Sequence, residues 1–174
     1  GAGYIGSVLI PELLKEFPKA EITAVDDLSY SQTSLLSLCG DITFIRKDVY
    51  DLTEEEVQDF DYIIPLAAVV GAPACKFNTE RAWRTNYWSI KNMLTKCKNA
   101  KVIIPTTNSG YGVTKEYDGN LVHCTEETEL NPVSVYGGIQ GICRECCLRL
   151  WRYIIATRYS FWGISTDETG SVGK

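Results

Sequence analysis

The chain has 174 residues, of which 45% are hydrophobic and 22% are charged, so it fits one domain with a hydrophobic core. Its formal net charge of −5 argues against a general nucleic-acid-binding surface, which needs a basic stripe. The sequence contains no apolar run of membrane-spanning length and no recognisable signal peptide, so we predict a cytoplasmic protein that does not cross a membrane.

Strand and helix patterns alternate along the chain, which is typical of a parallel sheet with helices on both faces. In chain order, the patterns predict a helix over 5–17, strands over 21–27 and 42–47, a short helix over 53–60, a strand over 62–70, a helix over 79–98, a strand over 101–106, a loop over 108–132, a helix over 134–152 and a strand over 153–161. The short helix is predicted from a capping box, and the strand over 62–70 from an unbroken apolar run. The predicted fold class is therefore α/β, a three-layer Rossmann fold.

Some prolines and glycines fall where they weaken the predicted elements. Pro11 lies inside the first helix, where proline costs about 3 kcal/mol or produces a kink. Gly137 and Gly138 each weaken the helix over 134–152 by up to about 1 kcal/mol relative to alanine. Pro65 lies in a predicted central strand and is expected to end the pairing there.

A glycine-rich segment, Gly1-x-Gly3-x-x-Gly6, precedes the first predicted helix. The first glycine permits a tight turn, the second lets the backbone approach a pyrophosphate, and the third lets the helix pack closely on a strand. Asp26 ends the next predicted strand, where its carboxylate can accept both ribose hydroxyls of NAD and repel the extra phosphate of NADP. The alternative role for Asp26 is a turn cap before Ser29.

The sequence has seven cysteines, an odd number without secretory features, which we interpret as reduced and mostly buried thiols. Cys143-x-x-Cys146-Cys147 looks like half of a zinc site. It falls in a predicted helix, however, and His123 is the only histidine. We therefore predict no metal site.

Further motifs follow in a particular order: Asp26-Asp27, Asp48-Val49, Leu66-Ala67-Ala68, Ala82-x-x-x-Asn86, Thr106-Thr107 and Tyr136-Gly137. In this order and at this spacing they resemble the NAD-dependent epimerase/dehydratase family, the extended short-chain dehydrogenase/reductases that include UDP-glucose 4-epimerase. The resemblance extends from Gly1 to about Gly163. It implies an NAD-binding domain over 1–163, with 164–174 as a tail or the start of a substrate-binding region.

The resemblance also implies a site. Its cofactor-binding residues would be Gly1, Gly3, Tyr4, Ile5, Gly6, Asp26, Asp27, Asp48, Val49, Leu66, Ala67, Ala68, Asn86, Thr106, Tyr136 and Gln140. In the family, a base takes a hydroxyl proton from a nucleotide sugar while hydride passes to NAD. Tyr136 matches that catalytic tyrosine, and Thr107 matches the Ser/Thr that holds the same sugar oxygen. The alternatives are that Tyr136 only packs on the sheet and that Thr107 only ends a strand.

The chain departs from the family at position 140, where Gln140 replaces a lysine whose charge stabilises the tyrosine phenolate. We predict slow or absent turnover and weakened NAD binding. The strand expected before Gly1 and most of the substrate domain are also absent from the sequence. We therefore expect a central gap in the sheet, unless another segment fills it, and either a fragment or an imperfectly determined sequence.

The predicted reaction is transient oxidation of a nucleotide sugar, as in an epimerase. Family members that dehydrate the sugar carry an acidic pair after the active-site threonine, whereas Asn108-Ser109 follow Thr107 here. One alternative is a catalytically impaired NAD-binding module. An NADP-dependent reductase is disfavoured by Asp26.

The resemblance also implies a homodimer, formed through the helices over 79–98 and 134–152. Three aromatic residues of the first of these helices are either exposed for that contact or part of the core: Trp83, Tyr87 and Trp88.

Overall fold

A computed structural model describes residues 1–97, 99–112, 116–117, 120–121, 125, 128–150 and 157–158 of the chain. The predicted tail over 164–174 lies outside these residues. Within the described part, none of the helices combines the length and the apolar character needed to cross a bilayer.

The first part of the chain forms a helix and two parallel strands, as predicted. Helix α1 is Gly6–Glu16, strand β1 is Thr23–Asp26, and strand β2 is Thr43–Arg46. The helix continues through Pro11. Its buried face packs on the strands in a cluster that contains Ala2, Ile10, Ala24 and Leu35.

The predicted helix over 53–60 is wrong, because the segment forms turns. The Glu56 carboxylate does accept a hydrogen bond from the Thr53 N–H at 2.8 Å, as in a capping box. It also pairs with the Lys47 ammonium at 2.7 Å. Starting a helix is costly when only about one turn follows, so the local capping signal does not produce a helix here.

The predicted strand over 62–70 is wrong beyond its first two residues. Strand β3 is Tyr62–Ile63 and pairs in parallel with strand β4, Lys101–Val102. Pro65 has no N–H to donate to a ladder, and the chain leaves the sheet before it. The structure then forms helix α2, Ala72–Phe77, which the patterns did not predict and which has a proline in its first turn.

The predicted helix over 79–98 is confirmed as far as Lys96, but it is not uniform. It consists of α3, Thr79–Trp83, a π-helical turn, Arg84–Trp88, and α4, Ser89–Lys96. The Asn78 side chain caps α3 by accepting a hydrogen bond from the Arg81 N–H at 2.9 Å.

The last part of the chain contains more structure than predicted. Strand β5, Pro105–Thr106, follows β4 after a short break, and a 3₁₀ turn, Asn108–Tyr111, comes next. A short antiparallel pair, β6 (Glu116–Tyr117) and β7 (Asn120–Leu121), corrects the predicted loop over 108–132. Helix α5 is Val135–Leu150, and β8, Thr157–Arg158, is the described part of the strand predicted over 153–161.

The described strands form two-stranded units: β1–β2, β3–β4 and β5–β8 are parallel pairs. No described strand hydrogen-bonds β1 to β3. Helices pack against the strands, so the architecture is the predicted α/β type. The largest buried cluster lies between β4, α4 and α5 and includes Met93, Leu94, Val102 and Cys143.

Candidate active site

The glycine-rich segment forms a tight turn into the start of α1. A Cβ at Gly6 would lie 1.7 Å from the Gly1 carbonyl oxygen, so only glycine fits at position 6. A Cβ at Gly3 would meet nothing within 4 Å, because Gly3 faces open space. The start of α1, where the helix dipole is positive, therefore adjoins a space into which an anionic group can approach the backbone.

Asp26 lies at the end of β1 and holds this turn. One carboxylate oxygen, Oδ2, accepts hydrogen bonds from the Gly1 nitrogen and the Ala2 N–H, both at 2.8 Å. The other, Oδ1, accepts from the Leu28 N–H at 2.8 Å. Burial raises the pKa of Asp26, but the hydrogen bonds from Gly1, Leu28 and Ala2 lower it by more, so the pKa lies below its usual value.

The turn and Asp26 line an open cleft of about 300 Å³. Twelve of the predicted cofactor residues line it: Gly1, Gly3, Tyr4, Ile5, Gly6, Asp26, Asp27, Asp48, Val49, Leu66, Ala67 and Ala68. The four predicted residues that do not line it are Asn86, Thr106, Tyr136 and Gln140.

Sequence reasoning missed seven residues that also line the cleft: Tyr30, Gln32, Lys47, Val69, Val70, Arg81 and Thr85. Lys47, Val69 and Val70 adjoin recognised motifs in the sequence, and that adjacency is the signal that would have included them. Arg81 and Thr85 carried no such signal, because only the fold brings α3 and the π-helical turn after it to the cleft.

Charged side chains surround one end of the cleft. The Arg81 guanidinium donates a hydrogen bond to the Ser29 hydroxyl at 2.8 Å and lies 3.6 Å from the Asp27 carboxylate. The Asp48 carboxylate accepts a hydrogen bond from the Tyr50 N–H at 2.9 Å and lies 3.2 Å from the Arg84 guanidinium. The carboxylates of Asp27 and Asp48 are therefore already oriented by partners within the protein.

Asn86 is buried and binds Val69, one of the residues that line the cleft. Its amide oxygen accepts a hydrogen bond from the Val69 N–H, and its amide nitrogen donates to the Val69 carbonyl, each at 2.8 Å. Both polar ends of the side chain are thus bound to the loop that follows β3.

Thr107 and Tyr136 are brought together from distant parts of the sequence. Thr107 follows β5, Tyr136 lies in the first turn of α5, and their hydroxyl groups are hydrogen-bonded. The Thr107 and Ser109 hydroxyl oxygens are 3.1 Å apart. Tyr136 packs against the buried cluster that contains Val69, and Val69 also lines the cleft.

The environment of Tyr136 favours its neutral form. Burial raises the pKa of the phenol, the nearby Cys75 thiol adds to this, and the hydrogen bond with Thr107 lowers the pKa by less. Gln140 lies one helical turn later and is half-buried, but it brings no positive charge. Thr106 is half-buried in β5, directly before Thr107.

Gly137 explains how α5 comes so close to Thr107. A Cβ at position 137 would lie 2.4 Å from the Ser109 carbonyl oxygen. Sequence reasoning treated this glycine only as a weak point of the helix and missed its packing role. The signal was its position, directly after the predicted catalytic tyrosine.

No group of three or more His, Cys, Asp or Glu side chains in the described residues is arranged to hold a metal ion. The five described cysteines form no disulfide: Cys75, Cys97 and Cys143 are buried, Cys39 is exposed, and Cys146 is partly buried. Cys124 and the Cys147 side chain lie outside the described part.

A glycine turn at a helix start, with a carboxylate at the tip of the adjoining parallel strand, defines a Rossmann-type dinucleotide-binding protein. The model of the NAD dependent epimerase/dehydratase family matches residues 1–152. The chain belongs to this family.

Known proteins resemble this chain over most of its length. UDP-glucuronic acid decarboxylase 5 from Arabidopsis thaliana is 30% identical over 142 residues, which are 78% of this chain and 39% of the relative. UDP-glucuronic acid 4-epimerase from Bacillus cereus, solved with UDP-glucuronic acid and NAD, is 25% identical with a TM-score of 0.77, covering 90% of this chain and 53% of that chain. A dTDP-glucose 4,6-dehydratase from Streptomyces venezuelae, 23% identical with a TM-score of 0.76, shares the fold over 90% of this chain and 52% of its own. The chain thus spans about half the length of these structures and less of the curated relative.

Proposed function

We propose that the protein is an NAD-dependent nucleotide-sugar oxidoreductase of the epimerase type. The observation that carries the proposal is the hydrogen-bonded Thr107–Tyr136 pair, since Tyr136 packs against the cluster that contains Val69, and Val69 and the glycine turn line one cleft. Family membership supports the same chemistry.

The cleft fits NAD at three places. The open space at Gly3 and the start of α1 suit the pyrophosphate, and Asp26 retains acceptor capacity for the adenosine ribose, since a carboxylate offers about four lone pairs. Asp48 and Val49 would hold the adenine, whereas Leu66, Ala67 and Ala68 would form the floor. Of the sixteen proposed cofactor residues, the four away from the cleft would act at the nicotinamide end or by supporting it.

In the proposed reaction, Tyr136 takes the proton of a sugar hydroxyl and Thr107 hydrogen-bonds the same oxygen to hold it in line. Bound NAD would accept the hydride that leaves the carbon bearing this hydroxyl. Tyr136 would return the proton to the oxygen as the reduced cofactor returned its hydride to the other face of the ketone, which would invert the carbon and regenerate both Tyr136 and NAD. Gln140 would orient the cofactor through hydrogen bonds but cannot lower the pKa of Tyr136 by charge.

UDP-glucuronic acid is the substrate to test first, because it is named for both the plant decarboxylase and the bacterial epimerase. A 4-keto uronic acid places its ketone two bonds from the carboxylate carbon, so loss of carbon dioxide competes with re-reduction. Asn108-Ser109, in place of an acidic pair after Thr107, argues against 4,6-dehydration.

A second candidate function is an NAD-binding module with little or no turnover. Gln140 and the raised pKa of Tyr136 favour it, because both oppose formation of the phenolate. The two candidates share the cofactor and differ in the chemical step.

The Gln140→Lys variant distinguishes them. A lysine one turn from Tyr136 would stabilise the phenolate, so we expect the single-turnover rate at which bound NADH first appears from NAD and UDP-glucuronic acid to rise at least about tenfold. Gln58→Lys makes the same change in a turn away from the cleft and should leave the rate unchanged. NADH fluorescence measures both rate and binding.

Three outcomes separate the hypotheses. A higher rate that is confined to the Gln140→Lys variant supports Tyr136 as the base. If this variant binds NADH but reacts no faster than wild type, the NAD-binding module is favoured and Tyr136 is not the base. Failure of the wild-type chain to bind NADH at millimolar supply contradicts the proposal as a whole.

We also propose that the protein is a cytoplasmic homodimer. The five described cysteines are not joined in disulfides, which is compatible with a reducing compartment. Trp88 and Ile142 are each 45% exposed at the π-helical turn before α4 and on α5, the helices through which the family resemblance implies dimerisation. Trp83 and Tyr87 instead pack against the buried cluster around Val69.

A further inference from the structure

Asn86 lies in the π-helical turn Arg84–Trp88 and is only 1% exposed. Both polar groups of its amide bind one residue, since Oδ1 accepts from the Val69 N–H and Nδ2 donates to the Val69 carbonyl. A single side chain thus supplies the two hydrogen bonds that a neighbouring strand would supply in a sheet. π-helical turns occur frequently at functional sites.

Val69 requires such partners because of where the strand ends. Strand β3 stops at Ile63, so the buried backbone of Val69 lies outside the described ladders. A buried N–H or carbonyl group without a partner is costly. The Cys75 thiol adds a third bond, donating to the Val69 carbonyl at 3.3 Å. Side chains therefore satisfy the backbone of Val69.

Val69 connects the cleft with the hydroxyl pair. The preceding residues 66–68 line the cleft floor, as does Val69 itself. Val69 also packs in the buried cluster with Ile139, against which Tyr136 lies. A displacement of Val69 would move both the cleft floor and the surface that supports Tyr136.

We propose that Asn86 is a positioning residue. Its two amide hydrogen bonds to Val69, which we call the clamp, fix the residues that line the cofactor cleft and the buried cluster against which Tyr136 packs. This assigns Asn86 an action through Val69 in place of direct contact with the cofactor. The inference rests on the proposed function for its effect on NAD, but the clamp itself is independent of any ligand.

The Asn86→Asp variant tests the clamp through pH. An aspartate can still accept from the Val69 N–H, but when ionised it presents an oxygen to the Val69 carbonyl, where the amide donated. Protonation restores a donor at that position. The position is almost fully buried and faces the Val69 carbonyl, and both features raise the pKa of a carboxyl introduced there because they disfavour its charged form. Between about pH 5.5 and about pH 8 we therefore expect NADH affinity to be at least about tenfold weaker than wild type at the alkaline end and to approach wild type at the acid end.

The titratable side chains packed around Val69 are Cys75, Tyr87 and Tyr136. Burial raises the pKa of both the Cys75 thiol and the Tyr136 phenol, which moves their titration further above this window. Asn92→Asp is the matched control, since it makes the same change in α4, and it should follow wild type throughout. The proposal is overturned if the NADH affinity of Asn86→Asp equals that of wild type at every pH. It is also overturned if Asn92→Asp loses as much NADH affinity as Asn86→Asp.

The Asn86→Leu variant removes both hydrogen bonds at similar volume. We expect faster amide hydrogen exchange in residues 64–70, unchanged exchange in α1, and weaker NADH binding that does not depend on pH. Unchanged exchange at 64–70 in the folded variant overturns the clamp. If Asn86→Leu does not fold, the pH dependence of NADH affinity in Asn86→Asp still tests the proposal.

The two measurements also separate this inference from the proposed function. If the wild-type chain binds no NADH, the proposed function fails, and amide exchange in the variants still tests the clamp without a cofactor. If NADH binds and both Asn86 variants behave as wild type, only the clamp is rejected.

Discussion

At the scale of single residues, Asp26 does more than the sequence motif implies. Its carboxylate accepts three hydrogen bonds from the glycine turn and from Leu28, so it organises the cleft before any ligand binds. The turn-cap alternative and the ribose-binding hypothesis are therefore compatible. A carboxylate with three donors still has room for one ribose hydroxyl.

The depressed pKa of Asp26 predicts an acid-sensitive fold. The ionised carboxylate stabilises the native state above its unfolded pKa of about 3.9, and this stability is lost as pH falls through the lower folded-state value. We expect Asp26→Asn to lower the urea midpoint near neutral pH and to flatten its decline between about pH 5 and about pH 2. The exposed Asp59→Asn provides the control, and a decline as steep in Asp26→Asn as in wild type would contradict this role.

At the scale of elements, the approach of α5 to the turn Asn108–Tyr111 creates the candidate catalytic pair. Gly137 permits this approach, because its missing side chain is where the Ser109 carbonyl lies. The next residue, Gly138, has open space at its Cβ position. Two adjacent glycines of one helix thus have different physical roles.

Replacing each of these glycines by alanine tests the difference. Gly138→Ala should stabilise α5 by up to about 1 kcal/mol, since alanine is the better helix former. Gly137→Ala should destabilise the protein by about 1–3 kcal/mol, because the new methyl group must push α5 away from Ser109. Urea denaturation measures both, and equal effects of the two substitutions would rule out the close approach.

The elements also differ in how well sequence patterns predicted them. Helix α1 and strands β1 and β2 formed as predicted, because an amphipathic period and β-branched residues specify them locally. The apolar run over 62–70 was misassigned, because a buried strand and a buried loop held by side chains such as Asn86 look alike in sequence. Within this run, the backbone of Val69 is bonded by Asn86, which lies 17 residues later in the chain.

At the scale of the whole molecule, the cleft lies between parts that the described sheets do not join. Strand β1 contributes Asp26, the segment after β2 contributes Asp48, and the loop after β3 contributes residues 66–70. Arg81 crosses between them, from α3 to Ser29 and Asp27. A dinucleotide in the cleft would contact both parts.

The proposed dimer is also a property of the whole molecule. Burying Trp88 and Ile142 against a second copy would remove exposed apolar surface, with the Lys91 ammonium 5.0 Å from the centre of the Trp88 ring. We expect Trp88→Glu to convert the dimer to a monomer in sedimentation velocity measurements, since a buried charge disfavours the interface. Phe17→Glu, at the end of α1, should leave the mass unchanged, and a monomeric wild type would reject the dimer.

The sequence by itself determined the family, the α/β class and most of the cleft lining, because glycines, a strand-end carboxylate and hydrophobic periodicity act over a few neighbouring residues. Only the tertiary structure decided that Gly137 allows Tyr136 to meet Thr107, that Arg81 and Thr85 reach the cleft, and that Asn86 binds Val69. These contacts join residues far apart in the chain, and their energies depend on burial and close approach, which no local pattern encodes.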